Sequence, residues 1–295
     1  SGKSNIAMEV AEEFGDCTIV CVDSMCVYRG MQIGTASPTL DERDRVPHEL
    51  VDLVDHSTEF SVQRFQREAK AAMARASVRG RQALLVGGTG LYHRAVIDDF
   101  EIPGQYEEVA ARLRERLLEE GPEALFNELE ALDPLAASRM EPTNSRRIVR
   151  ALEVTLGAER PFSSFGPGLA AYPESGITQV GIRFDREFSD AAITARVDAM
   201  VAGGFVEEVA ELLATGLPFS RTSAQAVGYP QFVSYLEGRC SLEEAKIATV
   251  TATRHLARRQ WAWFRRDPRI TWYDRADIAR GLTEALRMNR RSARD

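Results

Sequence analysis

The feature that most constrains the fold is a short apolar run that ends in a glycine turn and a helix. Residues 82–86 (QALLV) have strand length, Gly87-Gly88-Thr89-Gly90 follows, and Leu91 opens an apolar helical pattern. Strand, glycine turn and helix in this order form the building unit of α/β folds with parallel sheets. A second strand-like run, TIVCV at 18–22, is β-branched and ends at Asp23. It is preceded by a helical stretch at 5–14, with Ile6, Val10, Ala11 and Phe14 on one face. Parallel sheets gather ligands beyond the carboxyl ends of their strands, so Asp23 and the glycine turn are expected to converge. Residues 23–47 between the runs are polar and rich in turn formers. Ser61 is placed to cap a helix reaching about residue 78, which Arg79-Gly80 ends.

From residue 103 to 172 the pattern changes to helices rich in Arg, Glu and Leu, at 106–119, 122–132 and 145–156. A Pro/Gly/Ser/Phe stretch at 161–173 closes this region, and TQVGIRF at 178–184 resumes as a strand. Helices at 190–203, 206–215 and 242–265, a strand at 270–273 and a terminal helix follow. The expected organisation is one α/β core, residues 1–102 and 173–295, with a helical insertion at 103–172. Hydrophobic residues at 44% and charged residues at 27% exclude collagen-like and disordered classes. No run approaches 18 consecutive apolar residues and no signal-peptide order opens the chain, so no membrane partner is expected, and the cytoplasm is.

The four cysteines read as reduced thiols, since Cys17 and Cys21 on one strand lie about 13 Å apart. His48, His56, His93 and His255 are scattered, and the first two read most simply as loop histidines, so no structural metal is expected. The net charge of −7 announces no nucleic acid. Arg254, Arg258, Arg259, Arg265, Arg266 and Arg269 form a local basic exception, interleaved with Trp261, Trp263 and Phe264. Such a helix is either a nucleic-acid face or a core helix with a wet flank.

Ser1-Gly2-Lys3-Ser4 matches the last four positions of a P-loop, GxxxxGK followed by Ser or Thr, and equally a helix capped by Ser1 or Ser4. Asp23 is either a turn aspartate or a base. The glycine turn is either a tight turn with Thr89 as helix cap or part of a phosphate site. Arg196 is a solvated helix arginine or an anion ligand.

Seven strings together resemble the tRNA dimethylallyltransferases. They are SGKS at 1–4, DSMCVYRGMQIGTASP at 23–38, VPHELVD at 46–52, LVGGTGLY at 85–92, RRIVRALEV at 146–154, AVGYPQ at 226–231 and TRHLARRQWAWFRR at 253–266. They keep the family's order and span nearly the whole chain. The resemblance implies a P-loop NTPase-like parallel-sheet core with an inserted helical domain that contacts tRNA. It implies transfer of a dimethylallyl group from dimethylallyl diphosphate to the exocyclic N6 amine of the adenosine 3′-adjacent to the anticodon. Mg2+ and the tRNA anticodon arm are the implied cofactor and partner, and a monomer is expected.

By the same resemblance Asp23 is the base, with Lys3 and Arg196 beside it as catalytic charges. Ser1, Gly2, Lys3, Ser4 and Arg196 hold the diphosphate, and Ser4 carries the metal. Contacts to tRNA map onto Asp23, Ser24, Met25 and Cys26, onto Thr89, and onto Arg146, Arg147 and Arg150. They continue at Gln225, Gly228 and Tyr229 and along Arg254, Arg258, Arg259 and Arg265. The chain departs from the family at Cys26 and Arg146, where Gln is common, and at Gln225 and Pro230, where basic residues are common. The family also places a strand and a further half-loop ahead of the GKS motif, so residues before Ser1 are expected. A P-loop kinase would share Lys3, Ser4 and Asp23 without needing the insertion or the arginine helix. A nucleotide-dependent RNA-binding switch and an adenine-nucleotide prenyltransferase are the remaining alternatives, and the insertion favours tRNA over free nucleotide.

Overall fold

A computed structural model describes residues 2–166 and 168–292. Its central strand, β1 (Cys17–Val22), is buried along its whole length, which explains why the sequence is apolar at every position but Thr18 instead of alternating. It pairs in parallel with β3 (Gln82–Gly87), from Cys17 opposite Gln82 to Val22 opposite Gly87. A two-residue strand, β2 (His48–Glu49), lies parallel to its other edge, giving the order β2-β1-β3. Because β1 and β3 end level, Asp23 and the glycine turn leave the sheet side by side. β4 (Gln179–Ile182) and β5 (Ile270–Tyr273) pair in parallel as a separate sheet. The expected strands and their direction are present, and among the described residues they divide between two hydrogen-bonded sheets.

Alternation along β1 supplies two cores. Cys17, Ile19 and Cys21 point into one, with Ala7, Val10 and Ala11 of α1 (Lys3–Phe14) and Leu282 and Leu286 of α13 (Ile278–Ser292). Val20 and Val22 point into the other. There they meet Phe65, Ala69 and Ala72 of α4 (Val62–Val78), Tyr92 of α5 (Gly90–Ile97) and Phe205 of α10 (Phe205–Ala214). Ser61 caps α4 as expected, its hydroxyl accepting the Arg64 amide at 3.2 Å.

The turn-rich stretch after Asp23 is more ordered than its composition suggests. It holds α2 (Gln32–Thr35) and α3 (Leu40–Arg45), the latter opened by a reciprocal cap between Thr39 and Glu42. The Thr-x-x-Glu spacing carries that signal in the sequence. His48 sits on β2 and so is not the expected loop histidine, while His56 is in a turn as expected but buried, with Nε2 3.2 Å from the Leu217 carbonyl oxygen.

The remaining helices are α9 (Arg186–Ala202), α11 (Tyr229–Leu236) and α12 (Leu242–Phe264). α9 starts at 186 where the sequence suggested 190, because Asp185 accepts the Phe188 amide at 3.0 Å. α11 was not expected, since Pro230 reads as a breaker although the first helical turn tolerates it. No helix among the described residues is long and apolar enough to cross a membrane, and the four cysteines are free.

The chain forms two compact units, Ser1–Ile97 with Glu174–Asp295, and Asp98–Pro173. The second is helical. Its α6 (Glu107–Leu132) merges the two expected helices across Gly121, whose φ of 81° and ψ of 171° break the helix just before Pro122. α7 (Pro134–Ala137) and α8 (Ser145–Gly157) complete it around Leu113, Leu125, Leu129, Ile148 and Leu152.

The end of β3 tolerates only glycine. A Cβ on Gly87 would stand 1.9 Å from the Val22 carbonyl oxygen, a backbone atom held by the sheet, whereas one on Gly80 meets nothing within 4 Å. Gly87→Ala should therefore cost more than about 3 kcal/mol, above the usual range for overpacking. Gly80→Ala, limited to its positive φ of 69°, should cost only about 1 kcal/mol. Denaturant melts of the two variants check the contrast, and equal losses would contradict it.

Candidate active site

Asp23 emerges half-buried from the carboxyl end of β1, and its Oδ1 accepts the Met25 amide at 2.8 Å. The turn reading is thus correct for one oxygen. It is not the whole account, because the same carboxylate lies within electrostatic reach of Lys3, the first residue of α1, and Lys3 also feels Arg196 of α9. Burial pushes the Lys3 ammonium below its ordinary pKa, the Asp23 charge opposes that drop, and the Arg196 charge adds to it. Two cations and one carboxylate, drawn from three separate elements, therefore share one neighbourhood.

Gly2 takes the N-cap position of α1 in the left-handed region, φ 72° and ψ 16°, and has no side chain with which to cap the helix. The alternative of a serine cap is thereby overturned for Ser4, which is exposed in the first turn. Ser1 lies outside the described residues. Uncapped amides at a helix N-terminus, with a lysine among them, suit an anion.

The glycine turn is shaped by close approach. A Cβ on Gly88 would come 2.5 Å from the Gln260 side chain, and one on Gly90 would come 2.3 Å from the Trp263 ring, both on α12. Thr89 stands at the N-cap position of α5, its carbonyl accepting the His93 amide at 3.0 Å. Its Oγ1 accepts the Ser24 amide at 3.2 Å, joining the glycine turn to the residue after Asp23. Cys26 is buried in the same turn as Asp23, and burial followed by the Asp23 charge pushes its thiol up to about 12. It remains a neutral thiol. Met25 is half-buried against the core that contains Phe205.

Three of the residues expected to touch tRNA are committed elsewhere. Tyr229 is 1% exposed and its hydroxyl donates to Glu208 at 2.7 Å, so it offers nothing to a nucleic acid. Gly228 is buried as the N-cap of α11, with a Cβ position 3.0 Å from the Phe205 ring. Arg150, in the helical unit, spends its guanidinium on Glu153 at 2.6 Å and the Pro103 carbonyl at 3.0 Å. Arg254 is a partial case: half-buried, it pairs with Asp190 at 3.4 Å and so ties α12 to α9.

Arg258, Arg259 and Arg265 are exposed, and none is in an ion pair among the described residues. Their helix keeps its aromatic side as packing surface, with Trp261 edge-on to Trp272 at 4.9 Å and Phe264 edge-on to His93 at 5.4 Å. The packing reading thus holds for the aromatic face, and the three arginines stand exposed on the helix. Gln225 is exposed with its amide on the Arg221 carbonyl, and Arg146 and Arg147 are exposed in the first turn of α8.

The description "IPP transferase" belongs to the family that matches residues 26–267. The chain belongs to the IPP transferase family. A relative from a Nocardioides species, named tRNA dimethylallyltransferase, is 48% identical over 272 residues, covering 92% of this chain and 87% of its own. The full-length tRNA isopentenylpyrophosphate transferase of Bacillus halodurans superposes with a TM-score of 0.69 at 33% identity, covering 100% of this chain and 96% of its own. A eukaryotic dimethylallyltransferase solved acting on tRNA gives a TM-score of 0.74 at 25% identity, covering 92% of this chain and 71% of its own. An IPP transferase with the P-loop-like core of these relatives accounts for both the GKS turn and the carboxylate at the end of β1.

Sequence reasoning missed Glu208, a buried carboxylate in an acidic helical face whose pattern gives no sign of burial. Among the described residues no group of three His, Cys, Asp or Glu is arranged to hold a metal. The charges around Lys3 make a signed prediction. Arg196→Ala removes a like charge and should raise the Lys3 pKa, and Asp23→Asn removes an opposite charge and should lower it. The pH dependence of Lys3 acylation, read by peptide mass spectrometry in metal-free buffer, should shift in opposite directions for the two variants.

Proposed function

We propose that this IPP transferase moves a dimethylallyl group from dimethylallyl diphosphate to the exocyclic N6 amine of the adenosine 3′-adjacent to the anticodon in tRNA. The observation that carries the reading is membership of this family, together with Lys3 at the start of α1 within electrostatic reach of both Asp23, at the carboxyl end of β1, and Arg196 on α9. Breaking the allylic C–O bond leaves negative charge on the diphosphate. The amides at the start of α1, Lys3 and Arg196 supply positive potential there before and during bond cleavage. The acceptor nitrogen is a weak nucleophile because its lone pair is delocalised into the adenine ring. Asp23 takes its proton as the C–N bond forms, so the amine gains the allyl group, the carboxylate gains the proton and diphosphate leaves.

One exposed hydroxyl, Ser4, and one half-buried carboxylate, Asp23, do not build an all-protein metal cage. They do suit Mg2+, which keeps several waters and leans on substrate phosphates. Bound there through Ser4, Mg2+ would neutralise charge on the diphosphate.

The base must leave its stack to react, at a cost of a few kcal/mol that contacts elsewhere on the anticodon arm offset. Arg258, Arg259 and Arg265 on α12 provide such contacts from the core unit. Arg146 and Arg147 provide them from the helical unit, which we assign as a tRNA-contacting insertion. The compartment in this reading is the cytoplasm, where the polynucleotide substrate is handled.

Incubation of the protein with bulk tRNA and dimethylallyl diphosphate, followed by nucleoside mass spectrometry, should show a prenylated adenosine; unmodified tRNA would overturn the reading. Asp23→Asn should slow the single-turnover step by about 10²- to 10⁴-fold while leaving tRNA affinity nearly unchanged.

The two classes of arginine on α12 should also separate. The double variant Arg258→Gln, Arg259→Gln should weaken cognate and unrelated tRNA alike. It should lower the slope of log affinity against log salt by roughly 0.7 to 0.9 per lost contact. Arg254→Gln should instead lower the melting temperature and leave most of the slope intact. Salt-titrated filter binding beside thermal melts reads both, and an unchanged slope in the double variant would remove this helix from the tRNA site.

A further inference from the structure

A carboxylate outside the reacting cluster is built into the segment that presents it. Glu208 on α10 is buried, yet it accepts four hydrogen bonds. Its Oε2 takes the Gln32 amide at 2.8 Å and the Ile33 amide at 2.7 Å, while Oε1 takes the Gly34 amide at 3.1 Å and the Tyr229 hydroxyl at 2.7 Å. The three amides open α2, which lies in the same stretch as Asp23. A four-residue helix has little stability of its own, so its position is set by what grips it.

The grip is two-sided. A Cβ on Gly34 would come 2.5 Å from the Phe205 ring and 2.6 Å from the Tyr229 ring, so α2 is seated directly on those rings as well as on Glu208. At its far end, the Thr35 and Ser37 hydroxyls lie 2.8 Å apart, and the Thr35 hydroxyl donates to the Met31 carbonyl at 2.5 Å. Cys26 follows Asp23 by three residues in the turn held by the Asp23–Met25 bond, and its thiol senses the Asp23 charge. A path of bonded groups thus runs from Glu208 through α2 to Asp23: the Met31 amide, just ahead of α2, donates to the Tyr28 carbonyl at 3.4 Å, the Tyr28 amide to the Met25 carbonyl at 3.2 Å, and the Met25 amide to Asp23 Oδ1 at 2.8 Å. It joins the 23–38 stretch to the 226–231 stretch across roughly 175 to 200 residues of sequence.

We infer that Glu208, with Tyr229 as its hydrogen-bond partner, is a positioning residue for the prenyl transfer: it fixes α2 and thereby the placement of the Asp23 carboxylate. The inference rests on the reading of Asp23 as base. A misplacement of about 1 Å at a reacting group is enough to cost on the order of 10²-fold in rate. Removing the clamp should therefore lower kcat while leaving KM for dimethylallyl diphosphate and tRNA little changed, because Glu208 touches neither.

The test compares Glu208→Gln and Tyr229→Phe, alone and in an Asp23→Asn background. Single-turnover prenyl transfer to tRNA is measured well below the melting temperature of each protein. Glu208→Gln keeps the shape but sets an amide where only acceptors fit, and should lower kcat by about ten- to a hundredfold. Tyr229→Phe keeps the ring against Gly34 and removes one donor, so it folds even if the first variant does not, and should lower kcat by about three- to tenfold. If Glu208 acts through Asp23, neither change should slow the Asp23→Asn enzyme further. Equal fractional losses in both backgrounds, a loss confined to KM, or Tyr229→Phe within about twofold of wild type would each overturn the positioning role. Failure of the underlying reading looks different: Asp23→Asn itself would then be as fast as wild type.

Discussion

The parallel pairing of β1 and β3 in a fixed register is the constraint on which the site depends. Val22 stands opposite Gly87, and only a residue without a Cβ can stand beside the Val22 carbonyl. Once the two strands end level, the next residues of each chain must turn at the same place. Asp23 and Ser24 lie beside the glycine turn, and the Ser24 amide closes the gap by donating to Thr89. A slip of one residue would exchange the two cores, because alternate β1 side chains serve different ones. Catalytic placement and core packing are therefore consequences of the same register.

Around that point the charges divide into two roles. Lys3 feels the attraction of Asp23 and the repulsion of Arg196, and burial already disfavours the lysine's charge. Arg196 itself is exposed on α9, so its charge meets solvent as well as the lysine. The carboxylate alone does not balance them, and one of its oxygens is held by the Met25 amide.

α12 combines a packed face with an exposed basic one. Its aromatic side and Gln260 press on the glycine turn, Arg254 reaches α9, and Arg258, Arg259 and Arg265 stand in solvent. A protein of net charge −7 can still present a local basic surface in this way, because screening confines each charge's influence to about 10 Å. Changes on the wet side of this helix and on its packed side therefore act on different properties.

Local pattern alone determined much of the fold. The strand over Ile270–Tyr273, the Ser61 cap and the glycine turn after Gln82–Val86 follow from periodicity and turn chemistry within a few residues. Asp23 at a strand end is legible for the same reason. Its roles were not separable until Lys3 and Arg196 were seen beside it, since proximity among residues 3, 23 and 196 is not encoded in any local window. Tyr229 and Arg254 look like available polar groups in the sequence, and the folded chain spends the first on Glu208 and much of the second on Asp190. Glu208 itself reads as one more acid on a helix. Only tertiary structure decided that it is buried, because what makes its burial tolerable is a set of amides some 175 residues earlier in the chain.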